Sequence, residues 1–265
     1  MLEIEILFED ADLAVINKPS GITVNDASTN RGETIQQWWN SYLINQTIPQ
    51  GSSEWHSLIP SNFSLEYGTP EEIFSQRGGI VHRLDKDTSG ALLLAKNPGS
   101  LVDLLAQFKE RLVGKTYQAL VHGRLGVQRA ELNYPTMRSS RERQKMFVHP
   151  DGRPSVTVYE VVAEYQDPTQ PTELLSMVEC LPKTGRMHQI RVHFAHIRHP
   201  LVSDRLYAGR NRYKQDIAWC PRHFLHASSI ELTHPRTKQK MRVEAPLQND
   251  LRDSLKILKK FHKPN

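Results

Sequence analysis

Cysteine is nearly absent from this chain: Cys180 and Cys220 are its two thiols. Two thiols so far apart cannot build a disulfide framework, and a reducing compartment is the simpler setting for them. No apolar run approaches the roughly 20 residues that cross a bilayer. The opening Met1-Leu2-Glu3-Ile4-Glu5 is acidic and alternating, unlike the basic start and continuous apolar stretch of an export signal. A cytoplasmic protein with no membrane partner is the expectation. Metal motifs are missing as well. His188, His193, His196 and His199 do not make a His-Glu-x-x-His pattern, and Cys220 with His223 lacks a paired Cys-x-x-Cys. Neither a metal nor a dinucleotide cofactor is expected. The chain also lacks internal repeats, low-complexity tracts and an obvious linker, so residues 1–265 read as a single domain.

Acid is scarce where base is dense. From Lys183 to Lys214 the sequence carries Arg186, Arg191, Arg198, Arg205, Arg210 and Arg212, against Asp204 alone. Ile190, Val192, Phe194 and Leu201 interleave this run, so part of it must lie against a core. The whole chain has a formal charge of +5 and a pI near 9.2. A structured, acid-poor stretch of this kind suits a phosphate backbone. Arg138 to Lys145 is a second basic cluster, on a hairpin or flexible loop.

Alternation and breaker residues predict many strands and few helices. Strands are expected at Ile4–Phe8, Leu13–Ile16, Ala91–Ala95, Lys115–Val121, Val156–Val162 and Leu174–Cys180. A closing hairpin, Phe224–Leu232 with Lys240–Val243, surrounds His234-Pro235-Arg236-Thr237. Helices are expected at Thr34–Leu43, where Trp38 and Trp39 pack, after a Ser100 cap, over Thr184–Ile197, and as a basic terminal helix within residues 247–265. Residues 25–76 read as a polar, mobile insertion, with Ser52–Pro70 a long surface loop. The sum is an α+β fold on a mixed, largely antiparallel sheet, with two lobes flanking a central cleft.

The densest group of reactive side chains is His82-Arg83-Leu84-Asp85-Lys86-Asp87-Thr88, between apolar strands. Taken alone, a His-Arg-x-Asp is most often a salt-bridged structural turn. A kinase loop would have His-Arg-Asp contiguous, and Leu84 interrupts that.

Gly79-Ile80-Val81-His82-Arg83-Leu84-Asp85-Lys86-Asp87-Thr88-Ser89-Gly90 resembles the signature of the RluA-type RNA pseudouridine synthases, and further motifs follow in family order. They are Asn17-Lys18-Pro19-Ser20-Gly21, Lys115-Thr116-Tyr117-x-Ala119-Leu120-Val121-x-Gly123, and Thr184-Gly185-Arg186-x-His188-Gln189-Ile190-Arg191-Val192-His193. His199-Pro200-Leu201 with Asp204 and Tyr207, Leu225-His226-Ala227 and His234-Pro235 complete the series.

The resemblance implies isomerisation of uridine in structured RNA: uracil leaves its ribose, rotates and rejoins through carbon, with no cofactor. It implies Asp85 as nucleophile or base, Arg191 paired with the Asp85 carboxylate, and Tyr117 stacked on the base. Arg83 would fill the gap left by a flipped uridine, unless it forms a salt bridge with Asp87. His82, Lys115, Arg186 and His188 would bind substrate. Large-subunit ribosomal RNA is the expected target, with transfer RNA, a catalytically silent RNA-binding or assembly factor, and a metal-dependent nuclease as alternatives. The chain resembles the compact family members without an N-terminal RNA-binding domain of the ribosomal S4 type, and a monomer is expected. Ser203 departs from the glycine usual before Asp204, and residues 25–76 are longer than compact members need.

Overall fold

A computed structural model describes residues 2–26, 32–45 and 53–261. In chain order the elements are β1 (Glu5–Glu9), β2 (Leu13–Lys18), α1 (Ile35–Asn45), α2 (Pro70–Arg77), β3 (Ser89–Ala95), α3 (Pro98–Lys109), β4 (Gly114–His122) and β5 (Arg129–Asn133). Then come β6 (Thr136–Arg138), β7 (Met146–Val148), β8 (Val156–Gln166), β9 (Leu174–Pro182), α4 (Gln189–His196), α5 (Arg210–Asp216), β10 (Leu225–Thr233), β11 (Lys240–Glu244) and α6 (Asn249–Ile257). This is the expected mixed α+β fold, and β1–β2, β2–β3, β10–β11, β4–β9, β8–β9, β5–β8 and β6–β7 all pair antiparallel. The chain forms two compact units. One takes the residues up to Gly114 together with Ser229–Pro246; the other takes Lys115–Ser228 and the residues from Leu247.

In the first unit, uninterrupted apolar runs become strands covered on both faces. Every residue of β2 and of β3 is buried, as a sheet with both faces packed requires. Leu13, Val15, Leu93, Leu101 and Leu104 share one core with Ile230 and Val243. Helix α3 starts earlier than the expected Ser100 cap. Asn97 is the cap, accepting from Ser100 N at 2.8 Å, with Pro98 in the first turn. The Ser100 hydroxyl is buried and instead donates to Asp12 O at 2.6 Å.

The expected polar insertion is largely structured. Within it, α1 is pinned by Trp39, fully buried, whose Nε1 donates to Ala95 O at 3.1 Å. The expected loop at 52–70 contains 3-10 turns at Ser53–Leu58 and Leu65–Tyr67. Helix α2 follows, opened by a capping box of Thr69 with Glu72. Residues 27–31 and 46–52, also part of the expected insertion, lie outside the described residues. Gly79 then passes so close to β3 that a β-carbon on it would stand 2.4 Å from Ala95 O, at a φ of +73°. Only glycine fits there, and the Asp85 loop starts from this anchored point.

In the second unit the strand order is β4-β9-β8-β5. Period-two alternation divides β4 between two cores. Ala119 and Val121 join Val178, Ile190 and Phe194, whereas Leu120 joins Met177, Val202, Phe224 and Leu251. The basic cluster at Arg138–Lys145 is the tip of the β6–β7 hairpin, registered Thr136 to Val148 and Arg138 to Met146. Helix α4 is shorter than the expected Thr184–Ile197. His188 has a left-handed φ of 54°, so the helix cannot begin before Gln189. The preceding turn is clasped by Gln189, whose Oε1 accepts from Thr184 Oγ1 and from Arg186 N while Nε2 donates to Val156 O. The terminal helix is present as α6 but ends at Ile257; residues 262–265 lie outside the described residues.

Candidate active site

Asp85 sits half-buried on the loop between Gly79 and β3. Lys18, at the end of β2, fixes that loop. Its side chain is wholly buried, and Nζ donates to Pro19 O at 2.7 Å, Lys86 O at 3.0 Å and Thr88 O at 3.0 Å. An ammonium has three protons, and here three backbone carbonyls receive them. Gly21 N adds a bond to Lys86 O at 2.9 Å, and Thr88 N closes the turn on Asp85 O at 3.1 Å. The Lys18-Pro19-Ser20-Gly21 segment is therefore a clamp on the Asp85 loop. Sequence reading saw it as a motif without a task.

His82, at the head of this loop, is half-buried. Its ring stacks on Phe108 with centroids 4.8 Å apart, and its Nε2 accepts from Leu93 N at 3.0 Å. Both contacts anchor the imidazole at the start of the loop. Arg83 is exposed at the head of this loop.

In the second unit Arg191 points inward from α4, at 5% exposure. Asp204 grips its edge, Nε donating to Oδ2 at 2.7 Å and Nη2 to Oδ1 at 2.9 Å. This is the bidentate geometry that a guanidinium makes and an ammonium cannot. Tyr207 lies against its face, with Cζ 5.2 Å from the ring centroid. Burial by itself would raise the pKa of Asp204. The Arg191 hydrogen bonds and charge overcome that and hold the carboxyl below its ordinary value. His223, wholly buried near the same pair, is pushed down to about 3 by burial and then by Arg191. It is a neutral imidazole at any working pH.

Sequence reasoning gave Asp204 no task. The signal was present, because Asp204 is the lone acid in the basic run, and a lone acid beside a buried arginine is its natural counter-ion. Behind it, Ser203 adopts a left-handed φ of 56°, which explains why glycine is usual at that place. Here two bonds hold the serine: Ser203 N to Asp216 Oδ2 at 2.9 Å and Oγ to Cys220 O at 2.5 Å. Asp216 also meets His122 Nε2 at 2.9 Å, a buried support that sequence reading missed.

Tyr117, half-buried on β4 opposite Cys180, packs against the core of the second unit. Lys115 is half-buried, and burial lowers its pKa. Its ammonium lies 3.9 Å from where a β-carbon on Gly185 would stand, beside the turn that carries Arg186. Arg186 Nε reaches Pro154 O at 3.4 Å. His188 Nδ1 meets the Tyr207 hydroxyl at 2.9 Å. Not all of the basic run is surface: Arg191 is interior, and Arg212 is tied to Asp167 and Glu173.

Elsewhere, Asp10, Asp12 and His234 bring ligand-type atoms together. These atoms already have protein partners: Asp10 Oδ2 meets His234 Nε2 at 2.5 Å, and Asp12 takes Arg236 in a bidentate pair at 2.7 Å. The contacts form a structural network in the first unit.

The RNA pseudouridylate synthase family model matches residues 12–196. The chain is 36% identical over 260 residues to the ribosomal large subunit pseudouridine synthase D of Buchnera aphidicola subsp. Acyrthosiphon pisum, covering 95% of this chain and 72% of the relative. It is 34% identical over 266 residues to the protein of the same name in Pseudomonas aeruginosa, covering 97% and 72%. Among solved structures, Human RNA Pseudouridylate Synthase Domain Containing 1 superposes with a TM-score of 0.65 at 25% identity, over 92% of this chain and 83% of that one. The clamped Asp85 loop and the Arg191 cradle both fall within or beside the matched span, and the chain belongs to the RNA pseudouridylate synthase family.

Proposed function

We propose that this RNA pseudouridine synthase acts on uridines of large-subunit ribosomal RNA, with Asp85, Tyr117 and Arg191 as its catalytic residues. The observation that carries the assignment of Asp85 is the Lys18 clamp. A half-exposed carboxylate on a loop fixed by a buried ammonium is a group held for a purpose other than packing. The target follows the relatives named for the ribosomal large subunit.

In this reading the bond between N1 of uracil and the ribose breaks, the base turns, and C5 joins the same sugar carbon. A proton leaves C5 and one is gained at N1, so atoms balance and no cofactor is consumed. Asp85 acts at the sugar as nucleophile or base, a task that requires its ionised form. Arg191 is the cation that favours that form, and Asp204 and Tyr207 fix its edge and face. Tyr117 stacks on the base and serves the proton at C5. Exposed Arg83 stacks in the gap left by the flipped uridine, offsetting an unstacking cost of a few kcal/mol. Lys115, Arg186 and His188 line the RNA path.

The test maps pseudouridine in unmodified transcripts of large-subunit ribosomal RNA and of transfer RNA, with the wild-type protein and with Asp85→Asn. New pseudouridine at defined ribosomal positions with the wild type, and none with Asp85→Asn, is the expected result. Unchanged modification by Asp85→Asn overturns the catalytic assignment, and conversion confined to transfer RNA overturns the target.

A further inference from the structure

Tyr207 does more than cover the face of Arg191. Its backbone N donates to Asp204 Oδ1 at 3.2 Å, the oxygen that also receives Arg191 Nη2. Its ring covers the guanidinium face. Its hydroxyl accepts from Met146 N, on β7, at 2.9 Å, and meets His188 Nδ1 at the same distance. The hydroxyl thus joins the amide of β7 to the imidazole of His188.

The far side of this junction is the β6–β7 hairpin. It is a two-stranded sheet of its own with three residue pairs, and a hairpin of that size is marginal without docking. Its tip carries Arg138, Arg141 and Arg143, all exposed, while Lys145 pairs with Glu142 at 2.8 Å. One phenol thus touches both the strand that carries the basic tip and the guanidinium of Arg191.

We propose that Tyr207 is a positioning residue that couples docking of the basic β6–β7 hairpin to the placement of Arg191, so that RNA gripped by the hairpin sets the cation for the chemical step. The proposal rests on the functional reading above only for the identity of that step; the junction itself has a readout of its own.

The experiment uses the full chain and two variants. Tyr207→Phe keeps the ring over Arg191 and deletes the hydroxyl, and Met146→Pro leaves Tyr207 intact and deletes the donor. First, hydrogen exchange is measured without RNA. In Tyr207→Phe the Met146 amide is expected to exchange about tenfold faster, the worth of one hydrogen bond. An amide as protected as in the wild type overturns the junction whatever the activity. Second, single-turnover rates are measured at saturating large-subunit ribosomal RNA transcript. Both variants are expected to lose about tenfold in rate with a smaller change in half-saturation, within the usual range of coupling between sites. Arg141→Ala with Arg143→Ala is expected to slow the wild-type background and to leave the rate of Tyr207→Phe unchanged, altering only half-saturation there. Additive losses in rate overturn the coupling. A wild-type protein inactive on that transcript defeats the functional reading, and the exchange result still decides the junction.

Discussion

Burial of a single imidazole writes a pH dependence into this protein. His193 has no exposed surface, its Nε2 meets Tyr134 O at 3.0 Å, and burial pushes its pKa down to about 4. Between the unfolded value near 6.5 and that folded value, the unfolded chain binds a proton that the native state refuses. Stability therefore falls as pH drops through this window, by about 1.4 kcal/mol per pH unit for one group. His223 acts in the same direction down to about 3. The unfolding midpoint should drop on titration from pH 6.5 to pH 4, and His193→Gln should lower that slope by one proton. A midpoint indifferent to pH over this range would show that neither imidazole is held neutral. At this scale the sequence was legible where reactive residues are contiguous, as from His82 to Thr88. It was opaque where partners are chosen by the fold. Asp204 and Arg191 lie 13 positions apart, and only the turn at Ser203 turns one toward the other.

Among the elements, β2 and the Asp85 loop work as one piece through Lys18. Lys18→Met removes the ammonium and leaves the carbonyls of Lys86 and Thr88 without that donor, at about 1–3 kcal/mol each. The predicted consequence is a loop shifted by a fraction of an ångström to an ångström. Such a displacement lowers turnover by on the order of 100-fold, with RNA affinity changed far less. Crystallography of the variant alongside single-turnover rates would check this, and full turnover with an unmoved loop would refute it. Strands were the legible elements: the buried runs of β2 and β3 and the alternation of β4 declare themselves. Helices α2 and α4 were misread for local reasons. The capping box of Thr69-Pro70-Glu71-Glu72 was passed over within a polar stretch. The start of α4 was set too early because nothing in the letters of His188 announces a positive φ.

Over the whole molecule, the count of 34 lysines and arginines overstates the cations available to RNA, since Arg191, Arg212, Arg222 and Arg236 are taken by Asp204, Asp167, Asp250 and Asp12. Exposed arginines such as Arg141 and Arg143 remain. Each arginine that neutralises a phosphate should contribute about 0.7 to 0.9 to the slope of log affinity against log salt. Arg141→Ala with Arg143→Ala should therefore flatten that slope by roughly 1.4 to 1.8 in a binding titration on the ribosomal transcript. An unchanged slope would place the RNA elsewhere. Composition showed that a polyanion was the partner to expect, but not which cations were already spent on the fold.

Lys18 is the one buried lysine among the described residues. Acylating reagents that label surface amines within minutes have no access to it while the Asp85 loop is closed. Its nitrogen becomes nucleophilic to such a reagent only when the carbonyls of Lys86 and Thr88 let go. Modification of this lysine, followed by mass spectrometry, is thus a built-in clock for how often the Asp85 loop opens.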